Sequence, residues 1–232
     1  MFSRGWTPNF GWRTGSRNRF TPLRLTNLRA WYRADLGVTI ATGVSQWADQ
    51  SGNGNHLVQA VGGSQPTVSA NALNGQPMIT FVNKFMVSTF TMNQPETIFA
   101  VIRQTAWSLN NFIYDGTTDL TVRLVQSAVT PELVGSADLL LAPDANLGIG
   151  TAGLSTFIVN GASSVYQVNS LTEVAGDAGA DVAGGITLGA RATGLNNASF
   201  QIAELIIMAA VATATERASV RAYSQARYGV GS

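Results

Sequence analysis

The apolar positions of this chain come in short runs that are interrupted by turn-forming residues. Most runs are too short for a helix and are rich in Val, Ile, Leu and aromatic side chains, which is typical of β-strands. The predicted strands are 28–35, 44–48, 56–60, 78–82, 96–103, 112–114, 120–126, 137–142, 155–160, 164–168, 186–191 and 200–208. The pattern therefore predicts an all-β protein.

Two features of the pattern place particular strands. Residues 96–103 are apolar nearly throughout, which predicts a central strand buried on both faces. The pair Asn160-Gly161 at the end of an apolar run is a strong hairpin signal, because both turn positions need positive φ.

Residues 175–185 are rich in Gly and Ala, so we expect a flexible surface loop there. Asp177 and Asp181 in that loop could bind a cation, although a solvated loop is the simpler interpretation.

The chain ends on a different pattern, a strand that leads directly into a helix. Thr213 and Glu216 have the spacing of a capping box, and Gly229 supplies a C-terminal stop. An apolar stripe at helical spacing is expected to pack on the body. Its residues are Ala218, Ala222, Tyr223 and Ala226.

Composition narrows the class of protein. At 232 residues, one large β-domain is favoured over two domains. Only 12% of the residues are charged, about half the usual share, which is common in extracellular and virion β-proteins. Cysteine is absent, which excludes disulfides and thiolate chemistry. No apolar run reaches the ~18 residues that a membrane helix needs, and the N-terminus lacks the apolar core of a secretory signal.

Charge is distributed unevenly along the chain. The first 34 residues carry +7 and the remainder carries −6. Residues 1–28 also contain several aromatic side chains and no regular period, so we predict an extended arm that docks by its rings and arginines. The predicted docking residues are Arg4, Trp6, Phe10, Trp12, Arg13, Arg17, Arg19 and Phe20. The arm could bind its own body, a neighbouring subunit or, least favoured, nucleic acid.

A dense turn spans residues 49–55. Asp49, Asn53 and Asn55 offer oxygen ligands of the kind that calcium prefers, with His56 beside them. However, the turn has a single carboxylate, and Asx residues in a Gly-rich turn usually shape the backbone. A structural turn is therefore favoured over a calcium site, and no metal or other cofactor is predicted.

The residues around this turn resemble a known family. They resemble the opening of a laminin-G-like domain of the concanavalin A-like lectin/glucanase superfamily, whose next strand usually ends in Asp-Gly. The matching residues are Trp47, Asp49, Ser51, Gly52, Asn53, Gly54, Asn55, His56, Gln65, Pro66, Leu73, Asn74, Gly75 and Pro77. Here that strand ends in Val82-Asn83 instead. The end of the chain is also similar to the family, in 202–207, 216–223 and 228–229.

The resemblance implies a fold. It implies an all-β, two-sheet antiparallel jelly-roll sandwich over residues 29–232, with a short C-terminal α-helix and the extended N-terminal arm outside it. Glucanases of this superfamily carry clustered acids on one strand, whereas every glutamate here is solitary. Glu204 is interpreted as a hydrogen-bonded structural residue. We therefore expect a protein that is not an enzyme.

Two functions follow as hypotheses. The first is a virion structural protein, a phage capsid-decoration or tail/fibre component, that is anchored through its arm to other virion proteins and forms a homo-oligomer. It would be assembled in the host cytoplasm, released by a route such as lysis and exposed outside the cell. The alternative is a carbohydrate-binding, lectin-like module that serves host attachment, with Trp107 as a candidate sugar platform. Burial or a turn role explains Trp107 equally well, and neither nucleic acid nor a membrane is an expected partner.

Overall fold

The protein is described by a computed structural model that covers residues 20–232. Two antiparallel sheets form a sandwich that is followed by one C-terminal helix, as the pattern and the resemblance predicted. The strands are β1 Leu28–Arg33, β2 Val38–Ile40, β3 Val44–Trp47, β4 Leu57–Val58, β5 Thr67–Leu73, β6 Gln76–Phe81, β7 Met86–Thr89, β8 Glu96–Gln104, β9 Phe112–Asp115, β10 Val122–Gln126, β11 Leu133–Ala137, β12 Leu140–Leu141, β13 Ala152–Val159, β14 Ser164–Val168, β15 Val174–Gly176, β16 Gly185–Leu188 and β17 Phe200–Met208. The helix α1 is Ala214–Tyr228, and short 3-10 helices lie at Pro22–Arg24 and Gly62–Ser64.

Each sheet has its own strand order. The first sheet runs β15-β14-β13-β8-β17-β6-β5, with β1 also paired to β17. The second sheet runs β12-β11-β10-β9-β16-β7-β4-β3-β2. Paired strands are often distant in sequence, as β8 and β17 are, so the first sheet depends on long-range pairing.

The central strand and the hairpin were predicted correctly. Strand β8 lies between β13 and β17, and all but one of its residues are buried. Strands β13 and β14 form a hairpin across Asn160-Gly161. Of that pair, only Gly161 has a positive φ, of 54°.

Aromatic and aliphatic side chains fill the space between the two sheets. Trp47, Phe81, Phe157 and Phe200 are fully buried there. The rings of Phe81 and Phe200 stack with centroids 4.9 Å apart and planes 8° from parallel. This interior cluster defines the relative position of the sheets, because close-packed interiors resist displacement.

Helix α1 packs on the outer face of the first sheet. Thr213 and Glu216 form the predicted capping box, and Gly229 ends the helix with a left-handed φ of 73°. Of the predicted apolar stripe, Tyr223 packs on the cluster beneath the helix, whereas Ala218, Ala222 and Ala226 are exposed. The helix instead buries Val220, Ser224 and Tyr228, since their spacing of four residues places them on one side. Residues 20–232 contain no helix with the length and apolar character that a membrane crossing requires.

Residues 20–28, which the prediction assigned to the arm, lie against the body. Leu25 is buried in the cluster beneath α1, and Pro22 is buried beside it. The ring of Phe20 meets that of Tyr223 edge to face, with centroids 5.9 Å apart. The backbone N–H of Thr26 donates to Glu216, 2.9 Å away. This segment is therefore attached to α1.

Two predicted segments differ from the structure. A strand was predicted at 137–142, but the chain forms β11 before it and the two-residue β12 within it. Gly135 interrupts the apolar run of β11, yet it is needed because an added Cβ would lie 2.8 Å from the ring of Phe157. Residues 175–185 are also not simply a surface loop, since Ala178 and Ala183 are buried in the interior cluster.

Candidate functional site

The outer face of the second sheet carries a groove of about 470 Å³. Within residues 20–232, no helix packs on this face, because α1 lies on the other sheet. Both polar and apolar side chains surround the groove. They are Asn110, Phe112, Leu120, Arg123, Val125, Ser127, Asp138, Leu140, Arg191 and Asn196.

The floor of the groove comes from strands β9 and β10. Phe112 and Val125 are directly opposite each other across these two strands. Together with Val134 and Ala142 they form a small apolar cluster on the outer face of the sheet. Leu120 and Leu140, which are 40% and 59% exposed, add apolar surface at the rim. The groove thus has an apolar base that is open to solvent.

An ion pair lies along one side of the groove. Arg191 donates from both Nε and Nη2 to the carboxylate of Asp119, which makes the pair bidentate. The hydrogen bond to Asp119 raises the pKa of Arg191. The guanidinium also lies over the ring of Phe112, 6.0 Å from its centroid. Arg191 is therefore charge-paired and held in position above the floor.

A second arginine joins two rim segments. Arg123 donates to the backbone carbonyl of Leu120 and, at 3.4 Å, to that of Asp138. The side chain of Asp138 is exposed at the rim. Within residues 20–232, its carboxylate has no hydrogen-bond or ion-pair partner.

Unusual backbone conformations are concentrated at this rim. Asn110, Leu120, Asp138 and Asn196 have positive φ values of 61°, 61°, 98° and 53°. A positive φ is expected occasionally for Asn but is a genuine outlier for Leu. Such conformations persist only where their surroundings hold them, and they are concentrated at functional sites.

A buried carboxylate beneath the rim holds two of its loops. Asp115 accepts hydrogen bonds from the backbone N–H groups of Gly116, Leu120 and Ala192, at 2.9, 2.9 and 3.2 Å. Burial raises the pKa of Asp115, and these three hydrogen bonds oppose that rise. Asp115 thereby joins the loop after β9 to the loop after β16, which carries Arg191.

Trp107, the predicted sugar platform, is not part of the groove lining. It lies in the loop between β8 and β9, where it is half-buried. Its Nε1–H donates to the backbone carbonyl of Glu132 over 3.3 Å. The neighbouring amide of Ser108 donates to Gln126, so this loop is held against the end of β10.

The predicted docking residues fall mostly outside the described part of the chain. Arg4, Trp6, Phe10, Trp12, Arg13, Arg17 and Arg19 precede residue 20. Phe20 is described, and its ring packs on Tyr223 as given above. The docking of the arm on a partner stays a prediction.

The turn at 49–55 closes the free edge of β1. The carboxylate of Asp49 accepts from the backbone N–H groups of Trp31, Ser51 and Asn55, and from the hydroxyl of Ser51. Asn53 and Asn55 donate to the backbone carbonyl of Arg29. Four donors already surround the one carboxylate, so the turn is shaped by its own hydrogen bonds. Residues 20–232 contain no group of three or more His, Asp or Glu side chains placed to hold a metal ion.

Glu204 has the hydrogen-bonded environment that was predicted for it. Its carboxylate accepts from Trp31 Nε1 at 2.5 Å, Tyr228 Oη at 2.5 Å and Tyr223 Oη at 3.0 Å. Burial raises the pKa of Glu204, and the three donors oppose that rise. The side chain is buried between α1 and the first sheet.

The groove residues were not identified from the sequence. Arg123, Asp138 and Arg191 come from three separate segments. They are brought together by the pairing of β10 with β9 and β11, and of β9 with β16. The run Asp115 to Asp119 lies between two predicted strands, and nothing in it indicates that Asp119 pairs with Arg191.

No protein-family model matches this chain. A search of curated proteins also finds no match.

Among solved structures, the chain is similar to several β-sandwich domains. A GH54 α-L-arabinofuranosidase gives a TM-score of 0.59 at 17% identity, over 84% of this chain and 58% of that one. Domain 4 of a GH43 extracellular arabinanase from Geobacillus stearothermophilus, in complex with arabinotriose, gives 0.59 at 12% identity, over 83% and 97%. The binding domain of botulinum neurotoxin DC, in complex with SialylT, gives 0.54 at 13% identity, over 85% and 51%. At these identities the likeness shows the β-sandwich fold alone.

Proposed function

We propose that this protein is a carbohydrate-binding module whose binding site is the groove on the second sheet. The observation that carries the proposal is the groove itself, an apolar base ringed by amide, guanidinium and carboxylate groups. Sugars present both apolar C–H faces and hydroxyl groups, and such a mixed lining suits both. Ligand sites are generally concave and mostly apolar, with a few placed polar groups.

The structural neighbours support this class of function. One of them is a domain bound to arabinotriose and another is a toxin binding domain in complex with SialylT. A shared sandwich does not carry a shared function, so the proposal depends on the groove and not on the fold.

Binding without cleavage is part of the proposal, although two of the neighbours named above are a glycoside hydrolase and a domain of one. Glycoside hydrolysis generally needs two carboxyl groups that flank the scissile bond. Of the three carboxylates described at or beneath the groove, Asp115 is buried and accepts from three backbone N–H groups, and Asp119 is paired with Arg191. Asp138 has no partner within residues 20–232. Incubation with a panel of polysaccharides should release no reducing sugar, and sustained turnover would contradict this part.

The virion role remains the second hypothesis. It depends on residues 1–19, which lie outside the described part of the chain, and on partners that the groove does not identify. A module that attaches to surface glycans would be compatible with it.

Two adjacent leucines give a matched test. Leu140 lines the groove, whereas Leu139 is similarly exposed, at 48%, and is not part of the lining. Calorimetric titration with oligosaccharides should show at least about threefold weaker binding for Leu140→Ala, because apolar contact with the sugar is lost. Leu139→Ala should bind like the original protein. Equal affinities for the two variants would contradict the groove as the site.

A further inference from the structure

Both arginines at the groove are hydrogen-bonded within the protein, and Arg191 is also ion-paired. Arg191 is engaged by the carboxylate of Asp119 through two hydrogen bonds. Arg123 directs two of its nitrogens at the backbone carbonyls of Leu120 and Asp138. Neither guanidinium is presented to the groove as an unengaged fork, which is the arrangement that recognises a ligand carboxylate or phosphate.

Asp138 is the exception at this rim. Its carboxylate is exposed and has no partner within residues 20–232. Within residues 20–232, Arg123 has no ion-pair partner, so its positive charge is not neutralised, although its nitrogens are hydrogen-bonded. Asp138 differs from it in having neither a hydrogen-bond nor an ion-pair partner there. An acidic ligand would therefore lie beside the partnerless carboxylate of Asp138, while both guanidinium groups already donate to acceptors within the protein.

The backbone holds Asp138 firmly in this place. The N–H groups of Ala137 and Leu139, on either side, both donate to the carbonyl of Ala178, over 2.6 and 3.0 Å. Gly179 lies so close that an added Cβ would meet the carbonyl oxygen of Ala137 at 1.8 Å. Asp138 itself has a φ of 98°, far from the usual range for a residue with a side chain. The backbone of Asp138 is therefore held in a rigid position.

We propose that the groove selects uncharged oligosaccharides over acidic ones, with Asp138 as the specificity-determining residue. This inference rests on the proposed function. Asp138 accepts hydrogen bonds from sugar hydroxyl groups, and the two carboxylate oxygens can accept from neighbouring hydroxyls of one ring. The same charge repels the carboxylate of a uronic or sialic acid.

The test compares neutral and acidic sugars on the full chain. Neutral arabino-, xylo- and gluco-oligosaccharides and acidic sialylated and uronate-containing oligosaccharides are titrated separately. The matched variants are Asp138→Asn and Asp144→Asn. Asp144 is also exposed but does not line the groove, so both variants remove one surface charge.

Neutral sugars should bind and acidic ones should bind at least about tenfold more weakly. Asp138→Asn should weaken neutral binding by about tenfold, since a charged acceptor is lost, and should narrow the gap between the two sugar classes. Asp144→Asn should change neither. Because the ligand is uncharged, neutral binding should also vary little with salt.

The outcomes separate this inference from the proposed function. Tighter binding of acidic sugars, or unchanged selectivity in Asp138→Asn while Leu140→Ala weakens binding, overturns the role of Asp138 but leaves the groove as a sugar site. If no sugar of either class binds, both proposals fail.

Discussion

The two outer faces of the sandwich differ in what lies on them. On the first sheet, α1 and the segment after Phe20 cover a continuous apolar cluster that includes Trp31, Phe99 and Ile206. On the second sheet, the corresponding cluster has only Phe112, Val125 and Val134 as its buried members, and a groove lies over it. One face therefore contributes mainly to stability, while the other leaves its surface available to a ligand.

Polar groups show the same contrast. On the covered face, the carboxylate of Glu204 receives three hydrogen bonds from Trp31, Tyr223 and Tyr228. On the groove face, Asp138 has no partner within the described residues. Buried polar groups are costly unless they are paired, whereas an exposed one can remain available for a ligand. The buried carboxylate of Glu204 is therefore paired, and the exposed carboxylate of Asp138 is left available.

The largest expected effect comes from removing a side chain on the covered face. Trp31→Ala should lower the free energy of unfolding by about 4 kcal/mol, because it opens a cavity and removes a donor to buried Glu204. Urea denaturation measures the change. Trp31→Phe keeps most of the volume and should cost less, and Leu140→Ala on the groove face should cost under ~0.5 kcal/mol. Similar losses for Trp31→Ala and Leu140→Ala would contradict the contrast between the faces.

A second effect concerns a glutamate that, unlike Glu204, is buried without donors. Glu96 lies between the sheets, and neither carboxylate oxygen has a hydrogen-bond partner in residues 20–232. Burial raises its pKa from 4.5 to about 8. Between these two values the unfolded chain releases the proton and the folded chain keeps it. The free energy of unfolding should therefore fall by ~1.4 kcal/mol per pH unit from about pH 4.5 to 8.

Glu96→Gln removes this titration and tests it. The variant should be more stable than the original protein by roughly 3 kcal/mol at pH 7, with little difference at pH 4. Denaturation midpoints recorded from pH 4 to 8 give the comparison, and Glu132→Gln makes the same change outside the core. If the pH dependence of Glu96→Gln matched that of the original protein, the inference that buried Glu96 is neutral would be wrong.

A smaller effect is expected at the start of the covering helix. Thr213→Ala removes the side chain that accepts from the backbone N–H of Glu216. We expect a loss of ~1 kcal/mol, as is usual for an N-cap. Thr215 is exposed and lies two residues further on, in the first turn of the helix. Thr215→Ala should change stability by less than ~0.5 kcal/mol and serves as the control in thermal unfolding. Equal losses for both variants would show that the cap does not hold the covering helix.

The sequence predicted some elements well because their signals are local. The capping box, Gly229 and the apolar run of β8 depend on neighbours within a few residues. Ala178 was expected in a surface loop but is buried, and Ala222 was expected to pack on the body but is exposed. Both predictions were wrong because packing partners that are distant in sequence decide the burial of these residues. The groove is the extreme case, since Asn110, Arg123, Asp138 and Arg191 share no local signal and meet only through strand pairing.

The most direct test of the central claim is to locate the site where a sugar binds. A neutral oligosaccharide is titrated into nitrogen-labelled full-length chain, and the amide chemical shifts are followed by NMR. If the groove is the binding site, the largest shift changes should fall at Asn110, Arg123, Asp138, Leu140 and Asn196. The amides of α1 should be unchanged. Shifts centred on α1, or no shifts with any neutral or acidic oligosaccharide, would contradict it.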